Sequence, residues 1–141
     1  MRVPSEADWP RAWTWLEPQL TGRRALALEG DLGAGKTTFV KTIAAALGAD
    51  GAEVTSPTFS IVQEYPTPTG PLYHFDLYRL DTLDEVLALD FEGYLDAARL
   101  AVVEWPGVAR ELLPPDLALW ARIELSDAGG RELRVREEGA A

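Results

Sequence analysis

The chain has 141 residues, of which 47% are hydrophobic, so its length favours one domain, over residues 1–141, with a substantial core. It contains no cysteine, which excludes disulfides, thiolate metal sites and a cysteine nucleophile. Its net charge of −10 disfavours direct binding of DNA or RNA, because an acidic surface repels the phosphate backbone.

The hydropathy of the chain indicates no contact with membranes. No apolar run approaches the roughly 18 residues that a spanning helix needs. The first residues are acidic and lack the apolar core of a secretory leader. We therefore expect a cytoplasmic protein.

The first third of the chain predicts a helix, a strand and a second helix. Apolar residues recur at helical spacing over residues 5–20, with Trp9 and Trp13 on the apolar face. The apolar run at 25–28 predicts a buried strand, and residues 39–47 predict the next helix.

The segment between this strand and helix matches the phosphate-binding loop pattern G-x-x-x-x-G-K-[ST]. Residues 30–37 read G-D-L-G-A-G-K-T and fit every fixed position. Glycines let consecutive N–H groups face one anion, and the helix N-terminus adds partial positive charge. Lys36 would reach the outer phosphates, and the Thr37 hydroxyl would bind Mg²⁺. The predicted nucleotide contacts are Asp31, Leu32, Gly33, Ala34, Gly35, Lys36, Thr37 and Thr38.

Two hairpins are predicted in the rest of the chain. Alternating residues at 59–65 and 72–76 flank a proline- and glycine-containing turn at 66–71. Residues 117–125 and 132–136 flank a turn that contains two glycines.

A strand and three short helices complete the prediction. The apolar run at 100–104 is typical of a strand covered on both faces, as in the centre of a parallel sheet. Thr82 can cap a helix, since Asp and Glu follow within one turn. The short helices are predicted at 83–89, 91–97 and 107–113.

Two carboxylates end predicted strands. Asp76 closes the strand 72–76, and Glu104 closes the strand 100–104. Ligands of open α/β sheets gather at the carboxyl ends of the strands, where a nucleotide loop also needs a second Mg²⁺ anchor. We assign both carboxylates to the Mg²⁺ and water shell without ranking them.

Three other polar residues have two interpretations each. Thr58, within the run 55–58, either belongs to a nucleotide-sensing loop or forms a plain turn. His74 shares a strand face with Asp76, and a lone strand histidine is usually structural. Arg79 could neutralise phosphate charge or pair with an acidic neighbour.

Taken in order, these stretches resemble the bacterial TsaE (YjeE) ATPase family, which takes part in making threonylcarbamoyladenosine (t6A) on tRNA. The phosphate loop is shared by many NTPases, whereas the later stretches are more specific. The matching stretches are residues 28–38 (L-E-G-D-L-G-A-G-K-T-T), 56–59 (S-P-T-F), 73–80 (Y-H-F-D-L-Y-R-L), 103–106 (V-E-W-P) and 130–132 (G-R-E).

The resemblance implies an α/β fold: one P-loop NTPase domain whose central sheet is mostly parallel, with antiparallel edge strands and flanking helices. It implies ATP or ADP with Mg²⁺, weak hydrolysis by the protein alone, and a complex with TsaD and TsaB that the ATPase resets between turnovers. The protein would contact tRNA only through that complex. Carried over by motif, Thr58, Asp76 and Glu104 serve catalysis, Thr37, Asp76 and Glu104 serve the metal, and Trp105 lies near the nucleotide.

Three alternatives use the same loop. A small-molecule kinase would need an acceptor site and an arginine-bearing lid, which are hard to place after Glu104. A GTPase switch would need a guanine-reading N/T-K-x-D segment, and no lysine follows Lys41. A nucleotide-gated binding module would differ from the ATPase only in lacking turnover.

Overall fold

The computed structural model describes residues 1–31, 33, 35–49 and 61–136, and these residues contain seven strands that form one sheet. The strands are β1 (Arg2–Val3), β2 (Ala25–Glu29), β3 (Val62–Thr67), β4 (Gly70–Asp76), β5 (Leu100–Glu104), β6 (Ala118–Leu125) and β7 (Arg131–Val135). The helices are α1 (Trp9–Leu16), α2 (Lys36–Ala46), α3 (Leu83–Leu87) and α4 (Phe91–Ala97), with 3-10 turns at Glu6–Asp8, Glu17–Leu20 and Pro106–Leu112.

The sheet is parallel in its centre and antiparallel at its edges, in the order β1-β7-β6-β2-β5-β4-β3. β2 runs parallel to both β5 and β6, and β4 runs parallel to β5. β3, β7 and β1 pair antiparallel with their neighbours. The predicted fold class is thus confirmed, and the carboxyl ends of four parallel strands share one edge.

Helices cover both faces of the sheet. Leu26 and Leu28 of β2 are fully buried in one layer with α1 and α2. Ala25 and Ala27 alternate to the opposite face, where α3, α4 and the 3-10 turn after β5 form the second layer. The sequence patterns of β2 and β5 follow from this double coverage, since such strands have no polar face. No helix in the described part of the chain is long and apolar enough to cross a membrane.

The N-terminal region differs from the prediction in two ways. The predicted helix over 5–20 is divided into a 3-10 turn, α1 and a second 3-10 turn. Pro18 lies at the start of the second 3-10 turn, and it has no N–H with which to continue the α-helix. The short strand β1 was not predicted; its Val3 pairs with Arg131, and the Met1 amino group donates to the Leu133 carbonyl at 2.7 Å.

The first hairpin is tighter than predicted. The turn predicted over 66–71 is wrong, because Pro66 pairs with Pro71 and Thr67 pairs with Gly70 inside the ladder. The proline in β3 is tolerated because β3 is an edge strand, where a missing N–H costs least. The hairpin of β6 and β7 and the Thr82 cap of α3 are confirmed; the Glu85 amide donates to Thr82 Oγ1 at 3.2 Å.

Candidate nucleotide-binding site

The glycine loop connects the central strand to α2, as predicted. β2 ends at Glu29 and α2 begins at Lys36, three residues earlier than the sequence pattern suggested. Gly30, Gly33 and Gly35 have φ values of 151°, 79° and 105°, which residues with a Cβ rarely adopt. The predicted contacts Leu32 and Ala34 lie outside the described residues.

Gly35 is required for a second reason. A Cβ built on Gly35 would lie only 2.8 Å from Cζ2 of Trp9. Trp9 is buried and stacks on Phe39 of α2 with 5.0 Å between the ring centroids. The N-terminal helix therefore packs against the base of the loop.

Lys36 lies at the centre of the site. Its ammonium donates to the Gly30 carbonyl at 2.6 Å and lies 4.0 Å from Oε1 of Glu104. It also lies 4.1 Å from the centroid of the Trp105 ring, an arrangement that permits a cation–π interaction. Burial lowers the pKa of Lys36 below its ordinary value, and the carboxylates of Glu104 and Asp76 oppose that shift.

The two strand-end carboxylates meet at the same edge, because Asp76 pairs with Glu104 in the register of β4 and β5. Glu104 is only 4% exposed, and its Oε2 is bonded to Nε2 of the buried His74. Asp76 is half-buried, and its Oδ1 accepts a hydrogen bond from the Tyr78 amide at 3.0 Å. Of the two, only Glu104 is within ion-pair distance of Lys36 in the described structure.

Trp105 turns the chain sharply after β5. Its φ of 53° and ψ of 55° lie in the left-handed region, which is unfavourable for a bulky side chain. Its ring contacts both the Lys36 ammonium and the ring of the exposed Tyr78; the two ring centroids are 5.0 Å apart. The strained turn thus brings an aromatic surface to the loop lysine.

An open cleft of about 500 Å³ joins these groups. Its lining includes most of the predicted site residues: Gly33, Gly35, Lys36, Thr37, Thr38, Asp76, Glu104 and Trp105. Asp31 instead borders an adjacent groove of about 300 Å³, which it shares with Tyr78 and Trp105. Thr58 lies outside the described residues, and the exposed Arg79 does not line the cleft.

Two regions that line the cleft were not predicted. Residues 3–6 and Trp9 form one wall, and Arg131 at the start of β7 forms another. Arg131 Nη2 donates to the Gly33 carbonyl of the loop at 3.1 Å. No spacing rule could place Arg131 there, because the contact depends on how the β6–β7 hairpin packs; only the G-R-E stretch of the resemblance gave a signal.

The donors in the cleft suit a nucleotide with Mg²⁺. Hydroxyl and carboxylate oxygens from Thr37, Asp76 and Glu104 are the ligand type that Mg²⁺ prefers. The described residues contain no group of three or more His, Cys, Asp or Glu side chains that could hold a metal ion.

A strand, a glycine loop and a helix, with the loop lysine beside strand-end carboxylates, define a P-loop-type protein. Within that class, the model of the family described as "Threonylcarbamoyl adenosine biosynthesis protein TsaE" matches residues 3–134, so the chain belongs to this family. The resemblance drawn from the sequence is confirmed, and it extends to the N-terminal segment.

Individual relatives support the assignment. The tRNA threonylcarbamoyladenosine biosynthesis protein TsaE of Bacillus subtilis is 47% identical over 91 residues, which cover 64% of this chain but only 56% of that relative. The Aquifex aeolicus protein of the same description is 38% identical over 134 residues, covering 94% of this chain and 92% of the relative. The crystal structure of YdiB from Bacillus subtilis aligns with a TM-score of 0.66 and 32% identity, over 96% of this chain and 82% of that one.

Proposed function

We propose that the protein is a Mg²⁺-dependent ATPase of tRNA threonylcarbamoyladenosine biosynthesis. Family membership and the names of the relatives support the pathway. The observation that carries the ATPase proposal is the position of Lys36, whose buried ammonium lies at the loop, 4.0 Å from the strand-end carboxylate of Glu104.

Each group in the cleft has a role in this proposal. The loop amides and Lys36 hold phosphate oxygens through charge-assisted hydrogen bonds. Thr37 and Asp76 would hold Mg²⁺, which neutralises phosphate charge when bound. Glu104 orients the attacking water, because it is buried beside Lys36 and has one oxygen directed to the phosphate region.

We further propose that hydrolysis serves partner proteins rather than a substrate held by this chain. The partners would be TsaD and TsaB, and hydrolysis would reset their complex between turnovers. The net charge of −10 supports indirect contact with tRNA, since this chain contributes little attraction to a polyanion.

The test is multiple-turnover t6A synthesis with purified TsaD and TsaB, with and without this chain and ATP. We expect product to exceed one equivalent of the TsaD–TsaB complex only when both this chain and hydrolysable ATP are present. Released phosphate is measured in the same samples. Multiple turnovers without this chain, or with a non-hydrolysable ATP analogue, would contradict the proposal.

A further inference from the structure

His74, the only histidine of the chain, lies inside the sheet beside the proposed site. It pairs with Val102 in the register of β4 and β5, and its side chain is 0% exposed. Side chains alternate along a strand, so His74 faces the same layer as Leu72, the layer that contains α1 and α2. The proposed phosphate chemistry assigns no role to this residue.

The imidazole makes one directional contact, in which its Nε2 is bonded to Oε2 of Glu104. An ionised carboxylate can only accept, so with Glu104 ionised Nε2 is the donor. Its other nitrogen, Nδ1, is buried with no hydrogen-bond partner in the described structure. An unpaired buried polar atom is destabilising, so an apolar side chain would serve packing better at this position. The geometry therefore favours a role that depends on the bond to Glu104.

This bond gives the two oxygens of Glu104 different surroundings. His74 holds Oε2 within the layer that contains α1 and α2. Oε1 lies 4.0 Å from the ammonium of Lys36, a residue that lines the cleft. A carboxylate with one oxygen held cannot rotate freely, so its second oxygen keeps a fixed direction.

We propose that His74 is a positioning residue for hydrolysis, whose Nε2–H holds Glu104 so that Oε1 stays directed at the phosphate region beside Lys36. The proposal rests on the proposed ATPase function. It predicts that the position needs a donor at the place of Nε2 and does not need an imidazole as such.

A matched set of variants separates positioning from packing. The amide nitrogen of glutamine lies three bonds from Cβ, as Nε2 of histidine does, whereas that of asparagine lies two bonds from Cβ. His74→Gln can therefore keep the bond to Glu104, His74→Asn places its donor too short, and His74→Leu keeps an apolar volume without a donor. Thermal unfolding of all three variants reports the structural cost of each change.

We expect His74→Gln to retain kcat for phosphate release within about threefold of the wild type. His74→Asn and His74→Leu should lose about 10- to 100-fold in kcat, the range typical of groups that orient a ligand of the reacting centre. The calorimetric Kd for Mg²⁺-ATP should change by less than about threefold in all of them, since no phosphate contact is removed. Losses of kcat that follow thermal stability instead of donor position would overturn the proposal, as would a fully active His74→Leu.

A second readout does not depend on turnover. Because the chain has a single histidine, its imidazole nitrogens give one set of NMR signals. We expect a proton on Nε2 and a shift of that signal in Glu104→Gln, whereas a proton found only on Nδ1 would overturn the proposal. If the wild-type protein with its partners releases no phosphate, the proposed function itself fails; if it does and His74→Leu is equally active, only the role of His74 fails.

Discussion

The ends of β4 and β5 carry carboxylates in register with each other, yet their surroundings differ. Glu104 at the end of β5 is 4% exposed and lies between His74 and Lys36. Asp76 at the end of β4 is half-buried and accepts a hydrogen bond from the amide of Tyr78, two residues further along its own turn. A carboxylate fixed by neighbours on two elements suits the orientation of a reacting group. A more solvent-exposed carboxylate such as Asp76 suits Mg²⁺, because the bound ion keeps several of its waters.

Among the variants that test this comparison, the largest effect on ATP binding is expected from Lys36→Ala, which removes the cation beside Glu104. The variant should bind ATP about 100-fold more weakly by calorimetry, because charge-assisted contacts to phosphate are lost. Lys41→Ala is the matched control, since Lys41 is the only other lysine and is exposed on the same helix. Equal affinity of Lys36→Ala and Lys41→Ala would contradict the assignment of the loop.

A smaller effect is expected from Gly35→Ala, which tests whether the loop must keep its shape to hold Lys36 beside Glu104. The new Cβ would lie 2.8 Å from the Trp9 ring, so we expect a loss of about 1–3 kcal/mol in the free energy of unfolding and about tenfold weaker ATP binding. Gly22→Ala shares the positive φ but has no atom within 4 Å of its Cβ, and serves as the control. It should leave ATP affinity unchanged; equal loss of affinity in both variants would show that the contact with Trp9 is irrelevant.

The sequence predicted the regions that depend on local patterns. Three features each follow from a short run of residues: the P-loop strand and helix, the interior strand β5, and the glycine-turn hairpin of β6 and β7. The parallel pairing of β4 with β5 then brings Asp76 and Glu104 to one edge, as strand ends predict.

The features that sequence patterns missed depend on tertiary packing. Which of Asp76 and Glu104 suits the metal and which suits the attacking water depends on the burial and the partner of each carboxylate. The periodicity of the sequence encodes neither. The contact between Arg131 and Gly33 joins residues 98 positions apart in the chain. The packing of Trp9 against Gly35 similarly requires α1 to lie against α2. His74 was expected to be structural because a lone strand histidine usually is, and spacing alone could not identify its partner Glu104 on the neighbouring strand.

The most direct test of the difference between the two carboxylates compares Glu104→Gln with Asp76→Asn in phosphate release at saturating ATP, over a range of Mg²⁺ concentrations and with TsaD and TsaB present. We predict that Glu104→Gln lowers kcat by about 100-fold without changing the Mg²⁺ concentration needed for half-maximal rate. Asp76→Asn should raise that Mg²⁺ concentration while kcat falls by less than about tenfold. The reverse pattern, or equal losses of kcat with unchanged Mg²⁺ dependence, would contradict the assignment of Glu104 to the reacting water and Asp76 to the metal.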